Sequence, residues 1–118
     1  MKFEAVLRGV NFRPIEAKAL VMKLEEGHAL TLQRQGDNEY DPNAIMVIDP
    51  ETQIFIGFVA KEVAAEIAPL MDEGTEFWCV TGDRLSQNSF ILLISDEGAL
   101  DDMPEDDEPL PAEPYLDN

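Results

Sequence analysis

The chain carries one histidine, His28, and one cysteine, Cys79. They stand far apart, with nothing spaced to orient either, so no Ser/His/Asp or Cys/His nucleophile is expected. One Cys and one His also fall short of a structural zinc set, and Cys79 alone cannot close an internal disulfide. Carboxylates are abundant, but no D-x-D-type loop gathers them around a divalent cation. No G-x-x-x-x-G-K-[ST] loop is present to cradle a nucleoside triphosphate. The expectation is a non-enzymatic protein with no cofactor and no metal. What remains is Tyr40-Asp41, inside QGDNEYDPN at 35–43. Here an aromatic face sits beside a strong hydrogen-bond acceptor in a segment thick with turn formers. The same residues also read as plain turn chemistry. Asp41-Pro42-Asn43 can be an Asx-type turn linking two strands, and Asp41 can serve both ends. Asn38 and Asn43 read as turn scaffolding.

The residues around that loop must build the platform. The chain has 118 residues, of which 25 are acidic and eight basic, for a net charge of −17. The length fits one domain with a real core. Ten of the acidic residues and none of the basic ones lie from Asp96 onward, together with four of the eight prolines. Residues 96–118 therefore carry −10 and residues 1–95 carry −7. Dense like charge with proline and few large apolar residues cannot repay the entropy of folding. The expected organisation is a folded domain over 1–95 followed by a flexible acidic tail over 96–118. No apolar run approaches the ~20 residues of a membrane helix, and MKFEAVLRGV lacks the pattern of a signal peptide. A cytoplasmic location is expected.

Phe3, Ala5 and Leu7 alternate with Lys2, Glu4 and Arg8, which predicts a strand over about 2–10. Pro14 to Glu26 reads as a short helix, with Pro14 at its first position, Gly27 as its stop, and Ile15, Ala19 and Met22 on one face. Leu30 and Leu32 mark a second strand, Ala44 to Ile48 a third and Ile54 to Val59 a fourth, the last two joined as a hairpin. Val63, Ile67, Leu70 and Met71 make the i, i+4, i+7, i+8 stripe of a helix over 61–71, which Gly74 stops. Glu76 to Val80 and Ser89 to Ile94 complete the strands. In the run Phe77-Trp78-Cys79, one aromatic ring faces out and the other in, with Trp78 favoured for the core. His28 reads as a surface residue and Cys79 as a small buried hydrophobe. Mainly β order with two short helices in under 100 residues suggests a small curled sheet or partly open barrel.

The stretch from Gly9 to Gly74 resembles the HIRAN domain. The likeness rests on GVNFRP (9–14), QGDNEYDPNAIMV (35–47) and IGFVAKEVAAEIAPLMDEG (56–74), in that order. The middle block is the most specific, because N-x-Y-D-x-N-A-I followed by a spaced I-G-[FHY]-[VL] and a helix marks the family. The resemblance implies an OB-like or SH3-like β-barrel with two helices. Helicase-linked members bind single-stranded DNA and hold its free 3′-hydroxyl end, which implies work in DNA repair or replication. It places the Tyr40 ring on a base and the Asp41 carboxylate on the 3′-hydroxyl. Phe12 matches a second stacking aromatic, usually Tyr in those members. Asn11 falls where they can have Arg, and Arg13 is a candidate substitute. Lys61 matches a phosphate-binding Lys at a helix start. Phe58 stands where they have His, and Phe90 matches an aromatic of the groove, although its alternation with Leu92 suits the core equally.

Charge pulls against this reading. A domain at −7 with a tail at −10 repels DNA at long range, and nonspecific affinity rests on Lys and Arg. Three functions follow as expectations: a module for the 3′ end of single-stranded DNA; an acidic interaction protein whose tail binds a basic nucleic-acid-processing protein, as a DNA mimic or recruitment arm; and a combination in which the tail covers the DNA groove. Oligomeric state is not legible.

Overall fold

The computed structural model describes residues 1–97. Six strands form a closed antiparallel barrel: β1 (Lys2–Arg8), β2 (Ala29–Arg34), β3 (Ile45–Asp49), β4 (Ile54–Val59), β5 (Trp78–Ser86) and β6 (Ser89–Ser95). The spatial order is β1-β4-β3-β2-β5-β6, with β6 closing on β1. Alternation decides which side chains point inward. Ala5 and Leu7, Leu30, Ile45 and Val47, Ile56, Cys79, and Phe90, Leu92 and Ile94 are buried in one core. Closure rests on two short seams, β1–β4 over Leu7–Val59 and Arg8–Phe58, and β2–β5 over Ala29–Val80 and Leu30–Cys79. The expected small barrel with two helices is the fold observed.

Two helices complete the core. α2 (Lys61–Asp72) buries Ala64, Ile67 and Ala68, with Val63 and Met71 packed beside them, on the face its periodicity announces. It ends where the Thr75 N–H reaches Leu70 O (2.9 Å) and the Gly74 N–H reaches Met71 O (3.0 Å). That is the Schellman pattern, and Gly74 adopts the φ of 108° it requires. α1 (Ile15–Lys23) is shorter than the expected 14–26, and Pro14 precedes it as the N-cap. Its expected face is inverted. Ala17, Val21 and Leu24 are buried, whereas Ile15, Ala19 and Met22 face solvent. The helix is apolar on most of its circumference, and the guanidinium of Arg84 ties down its C-terminal end. Its Nη2 donates to Val21 O (2.8 Å), which the Leu24 N–H meets at only 3.4 Å, and to Leu24 O (2.9 Å).

Three other expectations change. β5 runs on to Ser86, past the expected end at Val80, by shifting register against β6 between Thr81 and Ser86. Trp78 is the outward ring of its pair, 44% exposed, while Phe77 meets Phe3 edge-on at 6.2 Å. His28 is no plain surface residue: its Nε2 lies 2.8 Å from Oδ1 of buried Asp49. Asp49 also accepts from the Thr52 hydroxyl (2.7 Å) and from the Thr52 N–H (3.3 Å), closing the β3–β4 turn. Burial opposes ionisation of this carboxyl, but the hydrogen bonds from His28, Thr52 and the Glu51 N–H outweigh it and hold its pKa below the usual range. Of the expected tail, Asp96 and Glu97 are described, and Asp96 accepts from the Met1 ammonium at 2.7 Å. The remainder lies outside the described residues.

Candidate functional site

The loop over 35–44, between β2 and β3, is built from the turn chemistry its sequence shows. Asn38 Oδ1 accepts from the N–H groups of Tyr40 (2.8 Å) and Asp41 (2.9 Å), and Asp41 Oδ1 accepts from the Asn43 N–H (2.9 Å). The Ala44 N–H closes onto Asp41 O at 3.0 Å, and the Gln35 N–H onto Ala44 O at 3.0 Å. Arg34 then ties the loop to the barrel. Its Nη1 donates to Ala44 O (2.8 Å) and its Nη2 to Pro42 O (3.0 Å). Its Nε and Nη2 also grip both oxygens of Asp72, at 2.9 and 3.0 Å, at the end of α2. This bidentate pair raises the Arg34 pKa and lowers that of Asp72. A loop so internally bonded has its backbone ordered before any ligand arrives, so little further backbone entropy is lost on binding.

Its product is an aromatic ring presented to solvent. Tyr40 is 88% exposed. Asp41 is half-buried beside it, and among the described residues no donor reaches its Oδ2. The turn reading and the ligand reading of Asp41 are therefore compatible, because Oδ1 serves the turn and Oδ2 is left over.

Facing the loop lies a cleft of about 430 Å³, lined by Tyr40, Asp41, Asn38, Arg8, Phe58 and Lys61, with Ala44, Val59 and Glu62 completing it. Phe58 forms an apolar wall. It sits between Arg8 of β1 and Met46 of β3 in the ladder, and its ring meets Phe55 edge-on at 5.1 Å. Gly57 permits this geometry: a Cβ there would stand 2.6 Å from Arg8 O. Lys61 opens α2 directly after β4. The N-cap residue Ala60 supplies no side-chain acceptor, and while the Val63 N–H meets Ala60 O at 3.1 Å, the N–H groups of Lys61 and Glu62 keep their partial positive charge beside the cleft. Arg8 and Lys61 make no ion pair among the described residues. Their two charges balance Asp41 and Glu62 in a formally neutral cleft.

Four of the eight residues expected from sequence meet here: Tyr40, Asp41, Phe58 and Lys61. Asn11 and Phe12 line an adjoining hollow that shares Arg8 with the cleft. Phe12 is 91% exposed, and Asn11 accepts from Asn88 at 2.7 Å. Two residues fall elsewhere. Phe90 is wholly buried in the core and has no face to offer. Arg13 lies 3.9 Å over the Phe55 ring and donates to Phe55 O at 2.9 Å, so its guanidinium is engaged in the fold. Arg8 was missed. Strand alternation turns it outward, but only the β1–β4 pairing, which no local pattern reveals, brings it beside Phe58.

The described residues contain no cluster of three His, Cys, Asp or Glu able to hold a metal ion, and no helix long and apolar enough to cross a membrane. Comparison with curated protein sequences finds no match. A crystal structure of a protein from Lactobacillus plantarum is similar, with 27% identity and a TM-score of 0.69 over 77% of this chain and 87% of that one. The crystal structure of the HIRAN domain of human HLTF gives 22% identity and a TM-score of 0.63 over 79% of this chain and 72% of that one. The NMR structure of the HLTF HIRAN domain in its DNA-bound conformation gives 19% identity and 0.55, over 86% and 83%. The family model of the HIRAN domain matches residues 2–90, from the first strand into the last. With that match spanning well over half of its length, the chain belongs to the HIRAN domain family.

Proposed function

We propose that the chain is a nucleic-acid-binding module that takes the 3′ end of a single DNA strand into the cleft between the 35–44 loop and the start of α2. The observation that carries this is the exposed Tyr40 ring beside a carboxylate oxygen with no donor, on a hydrogen-bonded loop opposite two unpaired cations. A base stacks on Tyr40, an interaction of about 1–3 kcal/mol. Asp41 Oδ2 accepts the terminal hydroxyl proton in a charge-assisted bond. Arg8, Lys61 and the first-turn N–H groups of α2 take a phosphate, and Phe58 covers the sugar or base on its apolar side. Phe12, one hollow away, offers a second platform for the preceding base. The family membership and the solved DNA-bound conformation of the HLTF domain support this reading.

Fluorescence anisotropy of a short labelled strand tests it. Affinity is expected to be micromolar or weaker. Tyr40→Ala should weaken it by about 5- to 150-fold. A strand ending in a 3′-phosphate should bind at least about tenfold more weakly, because Asp41 loses a donor and gains a like charge. With two cations on phosphate, log K should fall against log salt with a slope of about −1.4. Equal affinity for hydroxyl and phosphate ends would sink end recognition, and an inert Tyr40→Ala would sink the site.

A further inference from the structure

One of the two short seams that close the barrel stops early. Two bonds fix which way the backbone of β2 points. The Thr81 N–H donates to His28 O (2.9 Å), so His28, Leu30, Leu32 and Arg34 turn their backbone groups toward β5. The Gln35 N–H donates to Ala44 O (3.0 Å), so Thr31, Gln33 and Gln35 turn theirs toward β3. On the β3 side the ladder runs from Thr31–Ile48 to Arg34–Ile45. On the β5 side it ends at Leu30–Cys79. Past that point the N–H and C=O groups of Leu32 and Arg34 find no backbone partner among the described residues. They give onto a cleft of about 410 Å³ between β2 and residues 75–78. Leu32, Met71 and Phe77 form its floor, packed against the core. Exposed Thr31, Glu76 and Trp78 form its rim.

We propose that this open seam is a docking site for an extended basic peptide of a partner protein, which pairs along β2 as an added strand. The free groups of Leu32 and Arg34 recur every second residue, as on the edge of a sheet, and only an extended main chain meets them all. An added strand alternates its side chains. Those that point inward sit on Leu32, Met71 and Phe77 and are aliphatic, while their neighbours stand outward beside Glu76 and Trp78. Charge decides what those neighbours are. Arg34, the cation of the cleft, is held by both oxygens of Asp72. Glu76 and exposed Glu73, three residues before it, form no ion pair among the described residues. Two strands over from Trp78, Lys2 and the Met1 ammonium balance Asp96 and Glu97 in charge. The rim is therefore acidic, and Lys or Arg complements it, with the Trp78 face open to the same cation. The pattern recognised is basic, aliphatic, basic in an extended segment. Other occupants fit less well. A second copy would set Glu73 and Glu76 against their counterparts, and an edge of two free residues falls far short of the ~1,200 Å² of a stable interface. Residues 98–118 hold eight acidic residues and no basic one, and a nucleic acid carries phosphates, so the rim repels both. The seam shares no lining residue with the candidate DNA cleft, so the inference stands apart from that reading.

Amide exchange and the fluorescence of Trp78, the chain's one tryptophan, test this on the full chain. The probe is the capped peptide TKVRVKT, which has no aromatic ring. In the free chain the Leu32 and Arg34 amides should exchange at least about tenfold faster than those of Thr31 and Gln33, which are bonded to β3. Millimolar peptide should slow the Leu32 and Arg34 amides at least about tenfold and change the Trp78 emission. The acidic counterpart TEVEVET should do neither. Methylating the backbone nitrogens of the three central residues of TKVRVKT should abolish binding, because an added strand needs their N–H groups. Glu73→Lys/Glu76→Lys alters exposed side chains alone and should weaken the basic peptide at least about threefold. Leu32 and Arg34 amides as slow as those of Thr31 and Gln33 in the free chain, or no slowing with peptide, would overturn the proposal. Equal binding of the methylated peptide would remove the added strand, and equal binding of the acidic one would remove the basic partner. Protection that rises with protein concentration alone would make a second copy the occupant. The same protection conferred by a single DNA strand would make the seam a nucleic-acid surface, and either result overturns the proposal.

Discussion

Gly57→Ala tests the junction on which the cleft depends. β4 carries a bulge against β3: Val47 pairs with Gly57 and Ile48 with Phe55, leaving Ile56 extra. The bend brings Gly57 against β1, where an added Cβ would stand 2.6 Å from Arg8 O and 3.0 Å from Leu7 Cδ1. The first distance is about 0.8 Å short of the 3.4 Å at which ordinary contact begins. The obstacle is a backbone oxygen, which cannot rotate aside as a side chain would. Relief requires β1 to move, and with it the pairs Leu7–Val59 and Arg8–Phe58. Overpacking of this kind costs about 1–3 kcal/mol, and a backbone obstacle places the cost in the upper half. For a domain of this size that lowers Tm by roughly 10–20 °C in a thermal melt followed by circular dichroism. Gly36→Ala is the control, because only Arg34 Nη2, at 3.7 Å, approaches its Cβ. It should melt unchanged, or slightly higher through a stiffer unfolded chain. If Gly57→Ala melts within about 3 °C of the parent, the close approach does not constrain the strand and the reasoning fails.

Other substitutions probe separate links. Arg84→Met keeps an apolar stem of similar length but removes the donors to Val21 O and Leu24 O, so α1 amides should lose hydrogen-exchange protection before the barrel does. Arg34→Lys cannot reproduce the planar grip on Asp72 together with the bonds to Pro42 O and Ala44 O. It should weaken DNA binding and broaden the Tyr40 signals, although it alters no group that touches the strand. Asp49 has a depressed pKa in the fold, so its share of stability is present above the unfolded value near 4 and is lost as pH falls through the folded value. Asp49→Asn should therefore lower Tm near neutrality and flatten its decline between about pH 5 and 2. A decline as steep as the parent's would assign the acid sensitivity to other carboxylates.

Elements with one dominant apolar face were legible in the sequence. The α2 stripe and its Gly74 stop, and the hairpin strand 54–59, stand as expected, because local pattern and tertiary burial agree there. α1 was read onto the wrong face because both of its faces are apolar. Periodicity cannot choose between Ile15-Ala19-Met22 and Ala17-Val21-Leu24; the choice appears only in the packing of α1 on the barrel, where Arg84, some 60 residues on, also holds the helix end. β5 was cut short because Gly82-Asp83-Arg84 breaks the alternation, while the strand absorbs them by shifting register against β6. The site divides in the same way. Tyr40 and Asp41 are contiguous with the Asn residues that hold them, so their loop could be read directly. Arg8 belongs to the site through strand pairing alone. The engagement of Arg13, Arg34 and Arg84 with backbone carbonyls left no trace in the sequence, yet it removes three of the eight cations from the pool able to meet a partner.

That removal changes what the acidity means. With Arg8 and Lys61 offset by Asp41 and Glu62, the cleft has no net attraction for a phosphate chain, and the net charge of −17 repels one from a distance. A protein selected to hold any nucleic acid would be poorly served by this arrangement. One that must take only a terminus is well served. On the proposed end-binding mode, Asp41 would meet a phosphodiester anywhere along a continuous strand and repel it. At a 3′-hydroxyl it would instead meet a donor, and the same carboxylate would be the strongest acceptor in the cleft. Discrimination is a difference between two binding energies, and it widens when the wrong partner is penalised as well as when the right one is favoured. On the end-binding reading, the shortage of cations lowers affinity for every strand, while Asp41 returns part of it to a free end alone. The negative field then works as a filter against internal sites, and stacking on Tyr40 and Phe12 supplies the contact energy that charge does not.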